Sequence, residues 1–247
     1  MTSSPSHPLA PLEAESQGER AQATREMFSA IAPRYDLLNH LLSLNIDRSW
    51  RRRAVDRLDW DARPGGSYLD VCAGTLDLAI EIAGRPEFTG HVVAVDFSQA
   101  MLRNGIPKIA RRPVAPVCAD ALRLPAVSGG FDGAMVAFGV RNLADIDAAL
   151  VELRRVLRAG ARLVILDFAL PMRQPLKWFY RFYFTRLLPF AGRVISKHSH
   201  AYKYLPESVL RFGRPEELGA CLAAAGYREV DWKLVTGGIA CIWWGTA

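Results

Sequence analysis

The stretch that decides the fold is Ser67-Tyr68-Leu69-Asp70-Val71-Cys72-Ala73-Gly74-Thr75-Leu76-Asp77, residues 67–77. It begins with a short apolar run, residues 67–72, which is typical of a buried β-strand. Gly74 then allows the backbone to approach a ligand closely, and Thr75 can cap a helix. An apolar helical pattern follows at residues 78–83. The stretch therefore predicts a strand, a sharp turn and a helix, the unit from which α/β sheets are built.

The same alternation continues along the chain. Apolar runs predict strands at residues 67–72, 91–96, 114–118, 131–138 and 162–168, with helices at 78–83, 98–110 and 146–157. Strands that are apolar nearly throughout and alternate with helices predict a parallel sheet covered on both faces.

The end of the chain has a different pattern. A predicted helix at residues 215–225 closes at Gly226, and strands at 229–234 and 239–244 are joined across Thr236-Gly237-Gly238. Two strands joined so closely form a hairpin, so one of them runs antiparallel to the rest. The predicted fold class is α/β, with a doubly wound, mostly parallel, seven-stranded sheet of Rossmann-like type and an antiparallel terminal hairpin.

The remaining segments are assigned around this sheet. Residues 1–20, rich in Ser, Pro, Glu and Ala, are predicted to be a disordered tail, and residues 21–247 a single domain. Residues 21–60 are predicted to form an N-terminal helical cap with a break at Pro33. Residues 169–214 are aromatic and basic without strand periodicity, which favours a lid or substrate insertion. The sequence shows no signal-peptide pattern and no long uninterrupted apolar run, so a cytoplasmic location is expected.

The charge suggests a surface partner. The formal net charge is +6 and the pI about 9.3. Basic residues cluster at Arg48, Arg51, Arg52 and Arg53, and again within residues 177–203, where aromatic side chains interleave with them. This mixture favours peripheral contact with an anionic membrane surface, and a solvated basic face is an equal alternative. No RNA-binding motif accompanies the charge, so no nucleic acid is expected as a partner.

The four cysteines are Cys72, Cys118, Cys221 and Cys241. They are scattered, with no CxxC pair and no Cys/His cluster, so neither a metal site nor a disulfide framework is predicted. Cys72 and Cys118 end predicted strands and are interpreted as buried free thiols.

Polar residues follow the predicted strands where a ligand site is expected, at the carboxyl ends of a parallel sheet. Asp96 closes the second strand and can accept hydrogen bonds from two ribose hydroxyls, and Asp120 with Ala121 follows the third, where Asp120 can accept from an adenine amine. Residues 137–142 leave the fourth strand. The first turn lacks both the G-x-G-x-x-G pattern and a phosphate-binding lysine, which favours a nucleoside ligand without phosphates. An NAD-dependent oxidoreductase remains an alternative, because Asp96 would serve NAD equally well.

Two further stretches carry a family resemblance. They are Met27-Phe28-Ser29-Ala30-Ile31-Ala32-Pro33-Arg34-Tyr35-Asp36-Leu37-Leu38-Asn39 and Ala137-Phe138-Gly139-Val140-Arg141-Asn142. With Val156–Gly160, Tyr204–Ser208 and Thr236–Ile239, they resemble the ubiquinone/menaquinone biosynthesis C-methyltransferases, a class I methyltransferase family, over nearly everything after the tail.

The resemblance implies transfer of a methyl group from S-adenosylmethionine to a ring carbon of a polyprenylated hydroquinone. The substrate would be demethylmenaquinol, or the 2-methoxy-6-polyprenyl-1,4-benzoquinol of ubiquinone synthesis. It also implies that Thr75, Asp96, Asp120, Ala121 and Ala137 contact the cofactor, and Gly74 is predicted to do so from its place in the turn after the first strand. The family usually has glycine at Leu76 and proline at Ala159. Leu76 is expected to crowd the methionine moiety or to require a shifted backbone, and a scaffold that has lost cofactor binding is therefore a second alternative.

The reaction needs an electron-rich ring, so a group that stabilises the phenolate is expected beside it. Arg141 is the leading candidate; its alternative is a structural ion pair with a carboxylate such as Asp36. Predicted catalytic residues are Arg141, Tyr35 and Asp36, and predicted substrate-binding residues are Asn39, Asn142, Tyr202 and Tyr204. A homodimer is a possible assembly.

Overall fold

The described part of the chain is a sheet with helices on both faces. The computed structural model describes residues 17–32, 43, 45–169, 208–209, 212 and 214–247. The helices are α1 (Gln17–Ile31), α2 (Ile46–Val55), α3 (Asp77–Ala83), α4 (Gln99–Gly105), α5 (Ile146–Val156) and α6 (Pro215–Ala224). The strands are β1 (Ser67–Val71), β2 (His91–Asp96), β3 (Val114–Cys118), β4 (Phe131–Ala137), β5 (Leu157–Phe168), β6 (Arg228–Val235) and β7 (Ala240–Thr246). Short 3₁₀ turns lie at Trp60–Ala62, Ile106–Ile109, Val140–Asn142 and Thr236–Gly238.

The strand order confirms the predicted fold class. The sheet runs β3-β2-β1-β4-β5-β7-β6, and β7 is antiparallel to both of its neighbours while the other pairs are parallel. The hairpin folds back so that β7, the last strand, inserts between β5 and β6. The order reverses at β1, which pairs with β2 on one side and β4 on the other. Ligands of doubly wound sheets bind at this switch point.

Both faces of the sheet are buried, which explains why its central strands are apolar nearly throughout. On one face Leu69 and Val71 of β1 join a core cluster that includes Leu150 of α5 and Leu222 of α6. On the other face Tyr68 joins a cluster formed with α2 and α3. Successive β1 side chains thus alternate between two cores, as the pleat of a strand requires.

The N-terminal boundary differs from the prediction. Helix α1 begins at Gln17, so it overlaps the predicted tail by residues 17–20. The prolines of the tail all precede residue 12, and the following Gln, Glu, Arg and Ala are good helix formers. Of the predicted helical cap, residues 33–42 and 44 lie outside the described residues, as does the predicted lid apart from residues 169, 208, 209, 212 and 214.

Strand β5 begins earlier than predicted. Its first residue is Leu157 rather than Arg162, and its pairing with β4 shifts register between Phe131 and Gly133. Gly160 has a φ of 81°, and its N–H donates to the Ala247 carbonyl at 2.9 Å. A glycine that permits this left-handed bend keeps an irregular, exposed segment attached to the sheet. The family departure at Ala159 lies in this segment.

The prediction for Cys118 was wrong. Its thiol is exposed and lies 3.6 Å from the Phe97 carbonyl oxygen. Among the strands of the described residues, β3 is at the edge of the sheet and pairs with β2 alone. Cys72 is half-buried, and Cys221 and Cys241 are buried.

Candidate functional site

A cavity lies at the switch point, at the carboxyl ends of β1, β2 and β4. The space between its walls, including the part open to solvent, is about 790 Å³. Predicted residues that line it are Gly74, Asp96, Asp120, Ala121, Ala137 and Asn142. The structure therefore brings most of the predicted cofactor residues together.

Asp96 is the most firmly held polar group of this cavity. One carboxylate oxygen accepts a hydrogen bond from the Gly74 N–H and the other accepts from the Ser98 N–H, both at 2.8 Å. These bonds join the loop after β1 to the loop after β2. Burial raises the pKa of Asp96, and the two amide hydrogen bonds oppose that shift. Each oxygen retains a further acceptor site, which suits a ligand with two neighbouring hydroxyls.

Asp120 is placed differently, although it also lines the cavity. It is exposed, and one of its oxygens accepts from the Leu122 N–H at 2.9 Å. This local turn fixes the direction of the side chain. The Asp120 carboxylate is therefore a solvent-exposed hydrogen-bond acceptor at the rim of the cavity, whereas the Asp96 carboxylate is a buried one.

Helix α1 covers one side of the same cavity. Phe28 contributes to the lining, and the Ser29 hydroxyl lies 2.9 Å from the Ser98 hydroxyl. Ser98 is fully buried and is the N-cap of α4, where its hydroxyl accepts from the Met101 N–H. One serine pair thus connects the N-terminal helix to the loop that holds Asp96.

Arg141 lies in the 3₁₀ turn after β4, against the end of β5. Arg141 is not among the residues that line the cavity, whereas its neighbours Gly139 and Asn142 are. Its Nη1 donates to an Asp167 carboxylate oxygen at 2.5 Å and to the Phe138 carbonyl at 2.8 Å. The Arg141 side chain is 6% exposed and that of Asp167 is 0% exposed. Burial raises the pKa of Asp167, and the Arg141 guanidinium opposes this shift. The ion pair considered in the sequence analysis exists, and its carboxylate is Asp167.

An aromatic cluster borders this ion pair. The rings of Phe138 and Phe168 lie 4.9 Å apart, and Trp50 of α2 lies 6.2 Å from each of them. The Trp50 indole N–H donates to the Thr236 hydroxyl at 2.7 Å, which ties α2 to the turn between β6 and β7. The Arg141 guanidinium carbon lies 5.3 Å from the centre of the Phe168 ring.

Comparison with known proteins identifies the family of the chain. The family model described as the ubiE/COQ5 methyltransferase family matches residues 15–247. The chain belongs to this family. It is 44% identical, over 92% of its length and 89% of the relative, to the ubiquinone/menaquinone biosynthesis C-methyltransferase UbiE of Geobacter sulfurreducens. It is 49% identical, over 87% of its length and 97% of the relative, to the demethylmenaquinone methyltransferase of Thermus thermophilus.

Solved structures support the fold. A SAM-dependent methyltransferase from Aquifex aeolicus has a TM-score of 0.54 at 21% identity, covering 73% of this chain and 81% of that one. A SAM-dependent methyltransferase from Thermotoga maritima, a possible histamine N-methyltransferase, has a TM-score of 0.61 at 18% identity, covering 90% and 99%. Family membership confirms the resemblance seen in the sequence, and with it a methyltransferase that uses S-adenosylmethionine. The oxidoreductase alternative is thereby excluded.

The first loop of this methyltransferase departs from expectation at Thr75 and Leu76. The N-cap position of α3 is occupied by Leu76, with a φ of 73° and no side-chain capping bond, so the prediction that Thr75 caps the helix was wrong. Thr75 is buried and is not among the residues that line the cavity. The capping role fails because the helix begins one residue later than a Thr75 cap requires.

Leu76 does not crowd the ligand. Its side chain is 0% exposed and belongs to the core cluster formed with α2 and α3. A Cβ atom on Gly105 would lie 2.6 Å from Leu76 Cγ, so the absence of a side chain on α4 makes room for Leu76. The left-handed backbone turns Leu76 into the core and away from the cavity. The loop thus accommodates the departure from the family glycine, and the structural reason for the scaffold alternative disappears.

We expect Leu76→Gly to leave S-adenosylmethionine affinity unchanged and to lower the free energy of unfolding by about 1–3 kcal/mol. Loss of a buried leucine side chain outweighs the relief of left-handed strain, which is about 1–2 kcal/mol. Calorimetric titration and urea unfolding measure the two quantities. Leu78→Ala, at a neighbouring buried position without positive φ, is the matched control and should be the more destabilising of the two. Tighter cofactor binding by Leu76→Gly would contradict this account.

Asp70 of β1 supplies the capping acceptor that Leu76 lacks. One carboxylate oxygen accepts from the N–H of Ala79, the third residue of α3, at 3.0 Å. The other is buried without a hydrogen-bond partner among the described residues. Burial raises the pKa of Asp70 to about 8; the charges of Asp96 and Asp77 add to the shift, while the Ala79 amide and Arg51 oppose it.

The raised pKa predicts a specific pH dependence. Folding favours the protonated form of Asp70, so its contribution to stability is complete below about pH 4, where the unfolded carboxyl is also protonated. That contribution is lost as the pH rises towards the folded-state pKa of about 8. Asp70→Asn keeps an oxygen acceptor for Ala79 and cannot ionise. The free energy of unfolding of the wild type should therefore fall relative to Asp70→Asn between pH 4 and 8, measured by urea unfolding at several pH values. Parallel profiles would refute it, and Asp120→Asn at the exposed rim serves as control.

Several predicted site residues lie outside the described residues. These are Tyr35, Asp36, Asn39, Tyr202 and Tyr204, together with the basic and aromatic segment 177–203. Their roles stay predictions.

Sequence reasoning missed two buried polar residues that support the site from outside the cavity lining. Asp167 lies next to the last residue of β5, so the strand-end rule that selected Asp96 could have found it. Ser98 follows Asp96 by two residues, and a serine before a helix is a recognisable N-cap signal. The pairing of Ser98 with Ser29 has no local signal, because the two residues are distant in the sequence.

Proposed function

We propose that this methyltransferase transfers a methyl group from S-adenosylmethionine to a ring carbon of a polyprenylated hydroquinone. Demethylmenaquinol is the favoured substrate, and the benzoquinol of ubiquinone synthesis is the second candidate. The names of relatives that are 44% and 49% identical support these two substrates. The observation that carries the proposal is the buried carboxylate of Asp96, fixed by two amides at the switch point of a sheet from this family.

The cavity residues fit the cofactor. Asp96 would accept from the ribose hydroxyls, and Asp120 with Ala121 would lie beside the adenine. Gly74 and Ala137 would face the methionine part, where the absence of long side chains leaves room. Thr75 is assigned no direct contact, because it is buried and is not among the residues that line the cavity. The bound cofactor supplies a methyl group already activated by the positive sulfonium.

Arg141 is proposed to stabilise the phenolate. A hydroquinone hydroxyl titrates near 10, as tyrosine does, so the ring becomes more nucleophilic when a positioned cation favours its ionised form. Nη1 of Arg141 is occupied by Asp167 and Phe138, whereas Nε is buried without a hydrogen-bond partner among the described residues. A buried donor left unpaired is costly, so a ligand oxygen at Nε would be favourable.

Further contacts are proposed from the sequence. Asn142 lines the cavity, and its side-chain amide donates to the Phe138 carbonyl at 3.2 Å. Asn142 is therefore assigned to substrate binding, with Asn39, Tyr202 and Tyr204. Tyr35 and Asp36 are assigned to catalysis beside Arg141. A homodimer stays a prediction, to be checked by analytical ultracentrifugation.

Quinone extraction tests the reaction itself. Cells that lack this protein should accumulate demethylmenaquinone, and expression of the chain should restore menaquinone. Accumulation of the unmethylated benzoquinone would select the second substrate. An unchanged quinone profile would overturn the proposal.

Peripheral contact with an anionic membrane is proposed from α2. Arg48, Arg52 and Arg53 are exposed on this helix, whereas Arg51 turns inward to pair with Asp47. The predicted basic cluster thus presents three of its four arginines to solvent. Each contributes about 1 kcal/mol of attraction to an anionic surface. No helix within the described ranges is both long enough and apolar enough to cross a bilayer.

Vesicle pelleting tests this contact. Replacing the three outward arginines with glutamine should reduce pelleting with phosphatidylglycerol vesicles and leave pelleting with phosphatidylcholine vesicles unchanged. The same replacement at Arg103, Arg111 and Arg123, which are exposed elsewhere, is the charge-matched control. Equal losses in the two variants would indicate net charge alone, and no loss would refute the assignment to α2.

A further inference from the structure

We infer that Asp167 is a positioning residue for methyl transfer and acts through Arg141. The inference rests on the proposed function, in which Arg141 stabilises the phenolate. It gives a role to a buried carboxylate that lies behind the cavity wall: neither Asp167 nor Arg141 is among the residues that line the cavity, whereas Phe138 and Asn142, which flank Arg141, are.

Asp167 is rigidly placed. It lies in β5, the strand that pairs with both β4 and β7, and it is fully buried. One carboxylate oxygen accepts from Arg141 Nη1 at 2.5 Å and from the Phe168 N–H at 2.8 Å. The other oxygen lies 3.5 Å from the Arg141 backbone nitrogen. A single carboxylate therefore contacts both the side chain and the backbone of Arg141.

The guanidinium has little freedom left. Nη1 also donates to the Phe138 carbonyl at 2.8 Å, and the group lies 5.3 Å from the centre of the Phe168 ring. Because the guanidinium is a planar fork, fixing Nη1 also fixes the directions of the other N–H groups. The unpartnered Nε is consequently held in one orientation before a ligand arrives. Such preorganisation is how a donor stabilises developing charge without reorganising during the reaction.

The carboxylate also makes the buried cation tolerable. A guanidinium that is 6% exposed needs a counter-charge, and Asp167 is the carboxylate with which the structure pairs it. A neutral amide at this position could still accept a hydrogen bond from Nη1 but would supply no charge. Asp167→Asn therefore removes the negative charge while it keeps the hydrogen bond to Arg141 and the volume of the side chain.

The test compares four proteins: the wild type, Asp167→Asn, Arg141→Met and the double variant. The substrate is a demethylnaphthoquinol with one prenyl unit, and calorimetry monitors S-adenosylmethionine affinity separately. Loosening a positioned group by about 1 Å costs roughly 100-fold in rate, so Asp167→Asn should lower kcat by about 10- to 100-fold. Cofactor affinity should not change. Asp167→Glu, which retains the charge, should recover part of the loss.

The double variant decides between positioning and a structural role. If Asp167 acts through Arg141, adding Asp167→Asn to Arg141→Met lowers kcat no further. A further loss, or a loss of cofactor affinity in Asp167→Asn alone, overturns the inference and leaves the proposed function intact. Full activity of Arg141→Met overturns both the role of Arg141 and the inference. Failure of the wild type to methylate the quinol instead overturns the proposed function.

Discussion

Replacing Asp96 with asparagine should weaken S-adenosylmethionine binding by roughly 10- to 100-fold, because one ribose hydroxyl loses its carboxylate acceptor, a hydrogen bond worth about 1.5–3 kcal/mol. The asparagine side chain has the same size, but its nitrogen cannot accept from either the amide of Gly74 or that of Ser98. The loop after β1 and the loop after β2 then lose part of the connection between them. Isothermal titration with S-adenosylmethionine measures the effect directly.

The fold should survive this change. Burial already raises the pKa of Asp96, so a neutral side chain removes a group whose ionised form is disfavoured there. Asp120→Asn is the matched control: Asp120 is exposed, and its asparagine oxygen can still accept from the adenine amine. We expect only a small change in affinity for this control. Equal losses in the two variants, or a loss for Asp120→Asn alone, would refute the assignment of Asp96 to the ribose.

The second large effect is expected at Gly139, where two loops of the cavity meet. A Cβ atom at this position would lie 2.3 Å from Cys72 Cβ and 2.9 Å from Cys72 Sγ. Both residues line the cavity, and Cys72 has a φ of 56°. Gly139→Ala should lower the free energy of unfolding by about 3 kcal/mol, at the upper end of overpacking costs. The melting temperature should fall by roughly 6–12 °C for a chain of this size.

A second substitution tests the cause. Cys72→Gly removes the two nearest atoms that the new Cβ would meet and leaves only Val136 Cγ1 at 3.4 Å. Glycine is also favoured at a positive φ. The pair Gly139→Ala and Cys72→Gly should therefore be more stable than Gly139→Ala alone. Gly65→Ala is the control, because its Cβ would meet nothing nearer than 3.5 Å. If Cys72→Gly gives no rescue, the contact between these two loops is not the reason for the loss.

Most of the sheet could be predicted because its signals are local. Buried parallel strands are continuously apolar, and β2 and β3 have the predicted bounds. The bounds of β5 could not be predicted, since residues 157–161 join the sheet through the bend at Gly160 and through a hydrogen bond to Ala247, the last residue of the chain. Edge strands and central strands of a sheet also have similar sequences. For this reason the sequence analysis wrongly predicted that the thiol of Cys118 is buried.

The convergence of the predicted cofactor residues on one cavity was predictable for a similar reason. Strand ends converge in a parallel sheet, so the acidic residues that follow β2 and β3 had to lie near the glycine turn after β1. The role of Leu76 could not be read in the same way. Leu76 stands at a position where the family usually has glycine. Whether it blocks the cavity depends on its φ and on Gly105, which lies in another helix.

The sequence by itself determined the α/β architecture, the nucleoside character of the ligand and the methyltransferase family, because apolar periodicity, strand-end carboxylates and signature motifs are all written along the chain. Only the tertiary structure decided which carboxylate faces Arg141, where Leu76 points and which α2 arginine turns inward. Each of these depends on residues that are distant in sequence and meet only when the strands align. The ion pair between Arg141 and Asp167 and the space that Gly105 leaves for Leu76 both form only when the protein folds.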